Sequence, residues 1–391
     1  MNPRLHSALS TALEQLAAQD RRRVLHPLAV QDGALYDAHG QRLIDASSND
    51  YLGLSQHPLA RQRAAEWAQR HGAGAPASRL VTGTRDVTVA VEEKLARVKG
   101  SEAALLFPSG FQCNATVIPA LAALGPTTIF SDALGHSSLV HGCRLAKAKT
   151  QVFRHNDLAH LADLLENTVV AERREGTPTA KWIVTETVFS MDGDRAPLPE
   201  LAALARRYDA SLYVDEAHAT GALGPQGRGL ACEVDGVDVV MGTLGKGLGA
   251  FGAYVAGPRV LIDYLINRAA GFIYTTALPP AVLGAVDAAL ELAPGMDLDR
   301  ARLAASAAAL RAALHAKGID TLQSSTQIVP AIIGSEVAAL AASQRMREAG
   351  ILAVAIRPPT VPAGTSRLRF SLGAAMSDGD LQRLLAAVAA L

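Results

Sequence analysis

The sequence predicts an α/β fold: a large domain with a mostly parallel sheet flanked by helices, followed by a smaller C-terminal α/β domain. Short apolar strands alternate with helical patterns through the middle of the chain, which is typical of βαβ units. At 391 residues, the chain also exceeds the roughly 250–300 residues at which one hydrophobic core stops growing. We expect an N-terminal helical segment (1–45), a large domain (46–285) and a small domain (286–391).

We predict a helix over residues 1–23 in the N-terminal segment. Leucines recur there at helical spacing, at positions 5, 9, 13 and 16. The segment lacks the uninterrupted apolar core and the small-residue cleavage site of a secretory signal. Glu14 and Asp20 argue against a mitochondrial presequence.

Six apolar runs in the large domain predict strands, at 103–107, 127–130, 150–153, 181–185, 211–214 and 238–241. Helical patterns lie between several of them, for example at 158–166 and 198–208. The small domain predicts helices at 300–317, 336–349 and 378–390, and strands at 328–333, 351–356 and 367–372. Ligands of parallel sheets collect at the carboxyl ends of the strands. The polar candidates found there are Ser109, His136, Glu186, Asp215, Thr243 and Lys246.

Composition excludes several classes of function. Lys plus Arg equals Asp plus Glu, at 37 each, which argues against a nucleic-acid or anionic-membrane partner. The three cysteines lie far apart without a C-x-x-C pair, which suits a reducing, cytoplasmic environment and gives no cysteine zinc site. No H-E-x-x-H motif is present, so we expect no metal. No apolar run reaches the roughly 18 residues that a membrane span needs.

Lys246 and Asp215 form the most informative pair. Lys246 lies in a glycine-rich stretch, 242–249, directly after an apolar strand, and Asp215 ends the preceding strand with His218 three residues further on. Lysines mostly stay in water, and a desolvated lysine becomes a neutral amine that can form a Schiff base. An acid for a pyridinium nitrogen together with a lysine for an aldehyde is the pairing that pyridoxal 5′-phosphate (PLP) needs.

Other motifs are weaker. The stretch 247–252 fits G-x-G-x-x-G, but no acidic residue follows at about 20 positions to hold a ribose. Gly245-Lys246 resembles the end of a P-loop, yet Gly247 replaces the required serine or threonine. The run Arg21-Arg22-Arg23 is, on composition alone, a solvated face.

Several separated segments together resemble the α-oxoamine synthases, PLP enzymes of fold type I, over nearly the whole chain. The segments that carry the resemblance are 48–54 (SNDYLGL), 107–111 (FPSGF), 135–138 (GHSS), 188–194 (VFSMDGD), 214–218 (VDEAH), 243–247 (TLGKG) and 357–365 (RPPTVPAGT). The last segment favours the family members that condense L-alanine with a pimeloyl thioester, of CoA or of a carrier protein. The alternative is a member that uses glycine with acetyl- or succinyl-CoA.

The resemblance implies roles for individual residues. Lys246 would carry PLP and act as the base, Asp215 would pair with the ring nitrogen, and His136 would stack on the ring. The other implied cofactor contacts are His218, Ser190, Gly110, Phe111, Thr243 and, from a partner subunit of a homodimer, Thr275 and Thr276. The implied substrate contacts are Asn49, His136 and Arg369 for the amino acid, and Arg21 and Thr360 for the acyl thioester.

Simpler interpretations stay open for single residues. His136 alone suits a buried core histidine, Asn49 suits a turn cap, and Arg369 suits a solvent-facing arginine that could be confused with Arg367. Glu186 is interpreted as a structural hydrogen-bonding residue and receives no role. The sequence departs from the family at Pro76-Ala77, where glycines are expected, and at Met376, where histidine is expected. Two rival functions stay open: an enzyme with a different PLP reaction, and a non-catalytic binding protein.

Overall fold

The computed structural model describes residues 1–391. Its strands are β1 (Ala29–Gln31), β2 (Ala34–Tyr36), β3 (Arg42–Asp45), β4 (Ala103–Phe107), β5 (Thr127–Asp132), β6 (Lys149–Phe153), β7 (Ala180–Glu186), β8 (Ala210–Asp215), β9 (Val239–Thr243), β10 (Ala253–Gly257), β11 (Ile328–Gly334), β12 (Ile351–Leu352), β13 (Val354–Ile356) and β14 (Ser366–Ser371). Its α-helices are α1 (Pro3–Ala18), α2 (Pro58–His71), α3 (Asp86–Lys99), α4 (Gly110–Ala122), α5 (Ser137–Leu145), α6 (Leu158–Glu175), α7 (Leu198–Arg207), α8 (Arg259–Arg268), α9 (Ala270–Ile273), α10 (Pro280–Leu292), α11 (Asp297–Ala316), α12 (Glu336–Glu348) and α13 (Asp378–Ala389). None of these helices combines the length and the apolarity that crossing a bilayer requires.

The chain divides into two compact units. The larger comprises residues 49–190 and 195–301, and the smaller comprises 1–48, 191–194 and 302–391. The N-terminal segment therefore belongs to the same unit as the C-terminal one. The three-part division expected from the sequence stays a prediction.

The larger unit contains a seven-stranded sheet in the order β4-β10-β9-β8-β7-β5-β6. The pairs from β9 to β6 are parallel, and only β10 runs antiparallel to its neighbours β4 and β9. This sheet confirms the predicted α/β class. Strand β10 was not predicted, although its apolar sequence (AYVAG) resembles that of the predicted strand β4 (AALLF).

Helices cover both faces of this sheet. Successive residues of a strand point to opposite faces, and β8 follows this rule: Tyr213 packs in the cluster that includes α4 and α8, while Leu212 and Val214 pack in the cluster that includes α6 and α7. A parallel sheet buried on both sides leaves only its strand ends accessible. Those ends are the places where polar side chains can meet a ligand.

The smaller unit contains two sheets, β1-β2-β3-β12 and β11-β14-β13. The single strand predicted over 351–356 is divided between them, because β12 pairs with β3 and β13 pairs with β14. The predicted helix over 1–23 ends at Ala18. Asp20 adopts a left-handed backbone (φ 54°), which a helix cannot continue through, and residues 21–28 form no regular secondary structure.

Candidate active site

Three neighbouring strands of the larger unit end in the candidate polar residues. Glu186 and Asp215 are the last residues of β7 and β8 and lie opposite each other in the parallel register. Asp215 in turn lies opposite Met241 of β9, which ends at Thr243. Lys246 follows in a tight turn that is closed by a hydrogen bond from Gly249 N–H to the carbonyl of Lys246 (2.8 Å). The sheet thus brings an acid and the lysine to one edge.

The turn that carries Lys246 packs closely on the chain after β8. A side chain on Gly247 would place its first carbon 2.4 Å from the carbonyl oxygen of Thr220, so only glycine allows this approach. The half-buried lysine points its Nζ at His218 Nε2, at 2.8 Å.

His218 continues into a chain of polar contacts. Its Nδ1 lies 2.6 Å from the hydroxyl of Tyr51, and that hydroxyl donates to Asn49 Oδ1 (3.2 Å). His218 and Tyr51 are 4% and 0% exposed, so water does not compete for these bonds. The chain Lys246–His218–Tyr51 can pass a proton between its members, and Asn49 orients its far end by accepting from the Tyr51 hydroxyl.

The Asp215 carboxylate is 4% exposed and receives two N–H groups. Ala217 N–H donates to Oδ1 (2.8 Å), and Asn114 Nδ2 donates to Oδ2 (2.7 Å). These two bonds hold the plane of the carboxylate. Asp215 is therefore held in a fixed direction.

His136 precedes helix α5, and its contacts fix the orientation of its ring. Its backbone N–H donates to Glu186 Oε1 (2.7 Å), and its Nδ1 accepts from the backbone N–H of Ser138 (3.2 Å). Protein atoms packed around the ring lower the pKa of His136, although the Asp215 carboxylate acts in the opposite direction. The imidazole is thus neutral at neutral pH, as a ring that stacks on an aromatic cofactor should be.

Glu186 is 2% exposed and has no assigned role from the sequence. Burial, reinforced by the Asp215 carboxylate, raises the pKa of Glu186 well above its usual range. Its hydrogen bond to the His136 backbone matches the structural interpretation made from the sequence.

The N-terminus of α4 forms a cradle beside Thr243. The Ser109 side chain caps the helix by accepting from Gln112 N–H (3.2 Å), and the N–H groups of Gly110 and Phe111 belong to the first turn, where a helix has no internal acceptors. A side chain on Gly110 would place its first carbon 2.8 Å from the Thr243 methyl group. The first turn of a helix favours a phosphate, so these residues fit the phosphate of PLP.

Ser190, Thr275 and Thr276 are the remaining cofactor candidates. Ser190 is half-buried four residues after the end of β7. Thr276 forms a backbone bridge with Ser78, and the adjacent Ala277 N–H donates to Ala77 (3.0 Å). Thr275 and Thr276 thus lie in a loop held by the segment that carries Pro76-Ala77, and not in a strand. Their predicted contact with a neighbouring subunit stays a prediction.

Arg367 and Arg369 lie in β14 of the smaller unit and are both buried, at 3% and 7% exposed. The interpretation of Arg369 as a solvent-facing residue is therefore wrong. Arg367 is committed within its own unit: its guanidinium donates to the Asp192 carboxylate and to the carbonyls of Met191 and Thr365. Arg367 therefore has its counter-charge in place.

The arginine run at 21–23 is not a uniform solvated face. Arg21 forms an ion pair with Glu336 (2.9 Å), and Arg23 donates to the hydroxyl of Thr360 (3.0 Å). Arg22, Arg23 and Thr360 line a cavity of about 1080 Å³ within the smaller unit. Arg21 and Thr360 are the two residues predicted to contact the acyl thioester. In the structure, Thr360 is bonded to Arg23 and not to Arg21.

Three residues that contact predicted site residues were missed from the sequence: Tyr51, Asn114 and Arg23. Tyr51 stood inside the 48–54 motif without a role. Asn114 shares a helical face with Val117, Ile118 and Leu121, and a single amide on such an apolar face is the signal that would have found it. Nothing in the run 21–23 distinguishes Arg23 from its neighbours.

The comparisons with known proteins agree with this geometry. The family model described as aminotransferase class I and II matches residues 41–388. The chain is 51% identical to the 8-amino-7-oxononanoate synthase of Gluconacetobacter diazotrophicus, over 97% of this chain and 95% of that protein. It is 47% identical to the enzyme of the same name from Geobacter sulfurreducens, over 98% and 97%.

Solved structures show the same fold. A serine palmitoyltransferase from S. paucimobilis with a bound PLP–myriocin aldimine superposes with a TM-score of 0.89, at 28% identity over 98% of this chain and 96% of that one. The 8-amino-7-oxononanoate synthase of Francisella tularensis gives a TM-score of 0.75 at 27% identity, over 89% and 97%.

The fold and the lysine site together define a fold type I transferase. The chain belongs to the class I and II aminotransferase family and, within it, to the 8-amino-7-oxononanoate synthases that these curated relatives represent. The predicted family resemblance is thereby confirmed.

Proposed function

We propose that this protein binds PLP and condenses L-alanine with a pimeloyl thioester, of CoA or of an acyl carrier protein. The products are 8-amino-7-oxononanoate, CO2 and the free thiol, in biotin biosynthesis. One observation carries the proposal: Asp215 ends β8, and Lys246 follows the end of the adjacent strand β9, beside the first turn of α4. The chain is also similar over its length to enzymes of that name. PLP, when bound, supplies an electron sink for the bond-breaking steps at the amino acid.

We assign the residues as follows. Lys246 holds the cofactor and Asp215 faces its ring nitrogen, while the backbone of Gly110 and Phe111 and the Thr243 hydroxyl hold the phosphate. The remaining contacts are His136 against the ring face, His218 and Ser190 near the ring hydroxyl, and Thr275 and Thr276 at the phosphate of the neighbouring subunit.

Lys246 also moves the proton of the substrate carbon. Its Nζ lies 2.8 Å from His218 Nε2, and His218 is tied to Tyr51 at 2.6 Å. A proton taken by Nζ is held inside this buried chain and can be returned to the product. Burial strengthens these fixed charges because water does not screen them.

The substrate contacts are assigned as the family resemblance implies. Asn49 and Arg369 hold the amino-acid carboxylate, and His136 also contacts the amino acid. Arg21 and Thr360 contact the acyl thioester, and the direct bond from Arg23 to Thr360 adds Arg23 to this set. The cations suit a donor whose far end is polar.

A product assay tests the function. The purified enzyme is incubated with L-alanine and a pimeloyl thioester, and mass spectrometry should detect 8-amino-7-oxononanoate. In parallel, kcat/KM is compared for pimeloyl, succinyl and acetyl thioesters with alanine and with glycine. One methyl group is worth only about 1–3 kcal/mol of discrimination, so some glycine turnover is compatible with the proposal. A preference for acetyl or succinyl groups with glycine would favour the alternative α-oxoamine synthase.

A separate experiment tests the cofactor. The purified protein should be yellow, and reduction with sodium borohydride should remove the visible band. The reduced adduct should then map by peptide mass spectrometry to Lys246. An adduct on any other lysine would refute the assignment of this residue.

We further propose a cytoplasmic homodimer whose sites are shared between subunits. Exposed apolar side chains on the larger unit support a dimer surface: Leu80, Val81, Phe111 and Tyr274 are 54%, 75%, 46% and 85% exposed. Inactive Lys246→Ala subunits mixed with Thr275→Ala/Thr276→Ala subunits should recover activity. An active monomer in sedimentation would contradict the shared site.

A further inference from the structure

We propose that Asn114 is a positioning residue that sets the orientation of Asp215 and of His136 together. The inference depends on the cofactor assignment above, because Asp215 and His136 are the groups assigned to the ring nitrogen and the ring face. It does not depend on which amino acid or thioester is used.

Asn114 is fully buried in the second turn of α4, and its amide is satisfied from three directions. Nδ2 donates to Asp215 Oδ2 (2.7 Å) and to the Ser138 hydroxyl oxygen (3.0 Å). Oδ1 accepts from the Tyr213 hydroxyl (2.6 Å). A buried amide is stabilising only when its groups are paired in this way.

These partners allow only one orientation of the amide. If the amide were flipped, Oδ1 would face the Asp215 carboxylate, and two acceptors at hydrogen-bond distance would repel each other. Burial raises the pKa of Tyr213 well above its ordinary value, so its hydroxyl stays neutral and remains a donor. Tyr213 therefore fixes Asn114, and Asn114 fixes Asp215.

The second N–H of the amide reaches His136 through Ser138. The Ser138 hydroxyl oxygen accepts from Asn114, so its own proton is available for His136 Nδ1 at 2.7 Å. The backbone N–H of Ser138 also points at Nδ1 (3.2 Å). Two donors at Nδ1 leave the ring proton on Nε2, which selects one tautomer and one ring plane.

The arrangement predicts what the loss of the amide would do. Without the Nδ2 bond, the Asp215 carboxylate loses one of its two N–H donors and is held by Ala217 N–H alone. The cofactor ring then carries less positive charge, and the lysine linkage gives up its proton less readily. The pH at which the visible band of the bound cofactor titrates should move upward.

Asn114→Leu tests this, because leucine has the same branched arrangement of side-chain heavy atoms and no polar group. The variant and the wild type are loaded with PLP, and the visible band is titrated against pH before any substrate is added. We expect an upward shift of the titration midpoint and a kcat reduced about tenfold to hundredfold, the range for a lost hydrogen bond to a charged group. KM for the thioester should stay within a factor of about two to three, since the change acts on the ring and not on thioester binding.

Two further variants separate the contributions. Ser138→Ala keeps the bond from Asn114 to Asp215 and removes the hydroxyl that contacts His136 Nδ1. It should therefore lower kcat with little change in the titration midpoint of the visible band. Thr116→Val is the matched control: Thr116 is a buried polar residue of the same helix whose hydroxyl accepts from Gly271 N–H (2.8 Å), away from Asp215. This control should lower the unfolding temperature and leave the midpoint unchanged.

The outcomes are distinguishable. If Asn114→Leu lowers the unfolding temperature as Thr116→Val does and leaves midpoint and kcat at wild-type values, Asn114 is only a packing residue and the inference is overturned. If Asn114→Leu does not fold, Tyr213→Phe gives the same test with a smaller expected shift, and an unchanged midpoint there also overturns it. A wild-type protein that acquires no visible band with PLP would instead refute the cofactor assignment.

Discussion

Replacing Lys99 by methionine should strongly destabilise the larger unit. Lys99 Nζ lies 2.5 Å from Glu216 Oε2 in a pair whose side chains are 4% and 0% exposed. Burial acts to lower the pKa of Lys99, but the Glu216 carboxylate outweighs it and holds the pKa above its ordinary value. Both groups are therefore charged in the interior, and methionine would leave the Glu216 charge without its partner.

The expected cost follows from this burial. Breaking one partner of a buried pair costs about 3–5 kcal/mol, because the remaining charge is uncompensated. For a unit of this size, each kcal/mol lowers the unfolding temperature by about 2–4 °C, which gives about 6–20 °C. Glu216 also accepts from Ala231 N–H (2.8 Å), so its rearrangement would loosen the chain directly after Asp215.

Calorimetry of the cofactor-loaded protein measures the effect, with Lys94→Met as the matched control. Lys94 pairs with Asp287 at 2.8 Å, with side chains 23% and 20% exposed. Asp287 keeps its second cation, Arg63, at 2.5 Å, so the loss should be about 1 kcal/mol. The double variant Lys99→Met/Glu216→Gln should recover part of the loss, because the charge is removed with its partner. Equal effects of the two lysine variants, or strict additivity in the double variant, would refute the reasoning.

Three other changes have defined outcomes. Asp215→Asn should reduce kcat by at least about tenfold to hundredfold with the fold retained by circular dichroism, since an amide cannot balance the ring charge; wild-type turnover would contradict its role. Glu186→Gln should flatten the pH dependence of stability. Because its folded pKa is raised, the wild-type carboxyl contributes stability below its ordinary pKa of about 4.3 and loses it as pH rises. The free energy of unfolding is measured in denaturant at several pH values, and an unchanged dependence on pH would count against this. Arg23→Ala should raise KM for the acyl thioester more than Arg21→Ala does, because Arg23 contacts Thr360 directly; steady-state kinetics showing the reverse order would restore Arg21 as the main contact.

The sequence predicts the strand ends of this fold well and the contacts between them poorly. Apolar runs locate β4 to β9 within one to two residues, because buried parallel strands are continuous hydrophobic segments. Since ligand sites lie at the carboxyl ends of such strands, Asp215, Thr243 and Lys246 could be placed at one edge before any coordinates. The periodicity of a segment is a local property, and it is sufficient for this step.

Long-range hydrogen bonds are not local, and they account for the misses. Asn114 and Asp215 are 101 residues apart in the chain, and Tyr51 and His218 are 167 apart. No spacing rule connects such pairs, because only the folded sheet brings their elements together. Arg23 was missed for a related reason. The helix predicted through residue 23 ends at Ala18, and the irregular chain beyond it brings Arg23 to Thr360.

Helix α4 serves both ends of the assigned cofactor site. Its first turn presents the N–H groups of Gly110 and Phe111 to the phosphate, and Asn114, four residues further on, holds the carboxylate assigned to the ring nitrogen. Four residues of an α-helix span about 6 Å, so the two contacts are one turn apart on a single rigid element. The close approach of Gly110 to Thr243 leaves the helix no room to slide toward β9. A change that shifts α4 should therefore weaken phosphate binding and misalign Asp215 together, whereas a change at Thr243 alone should affect only the phosphate.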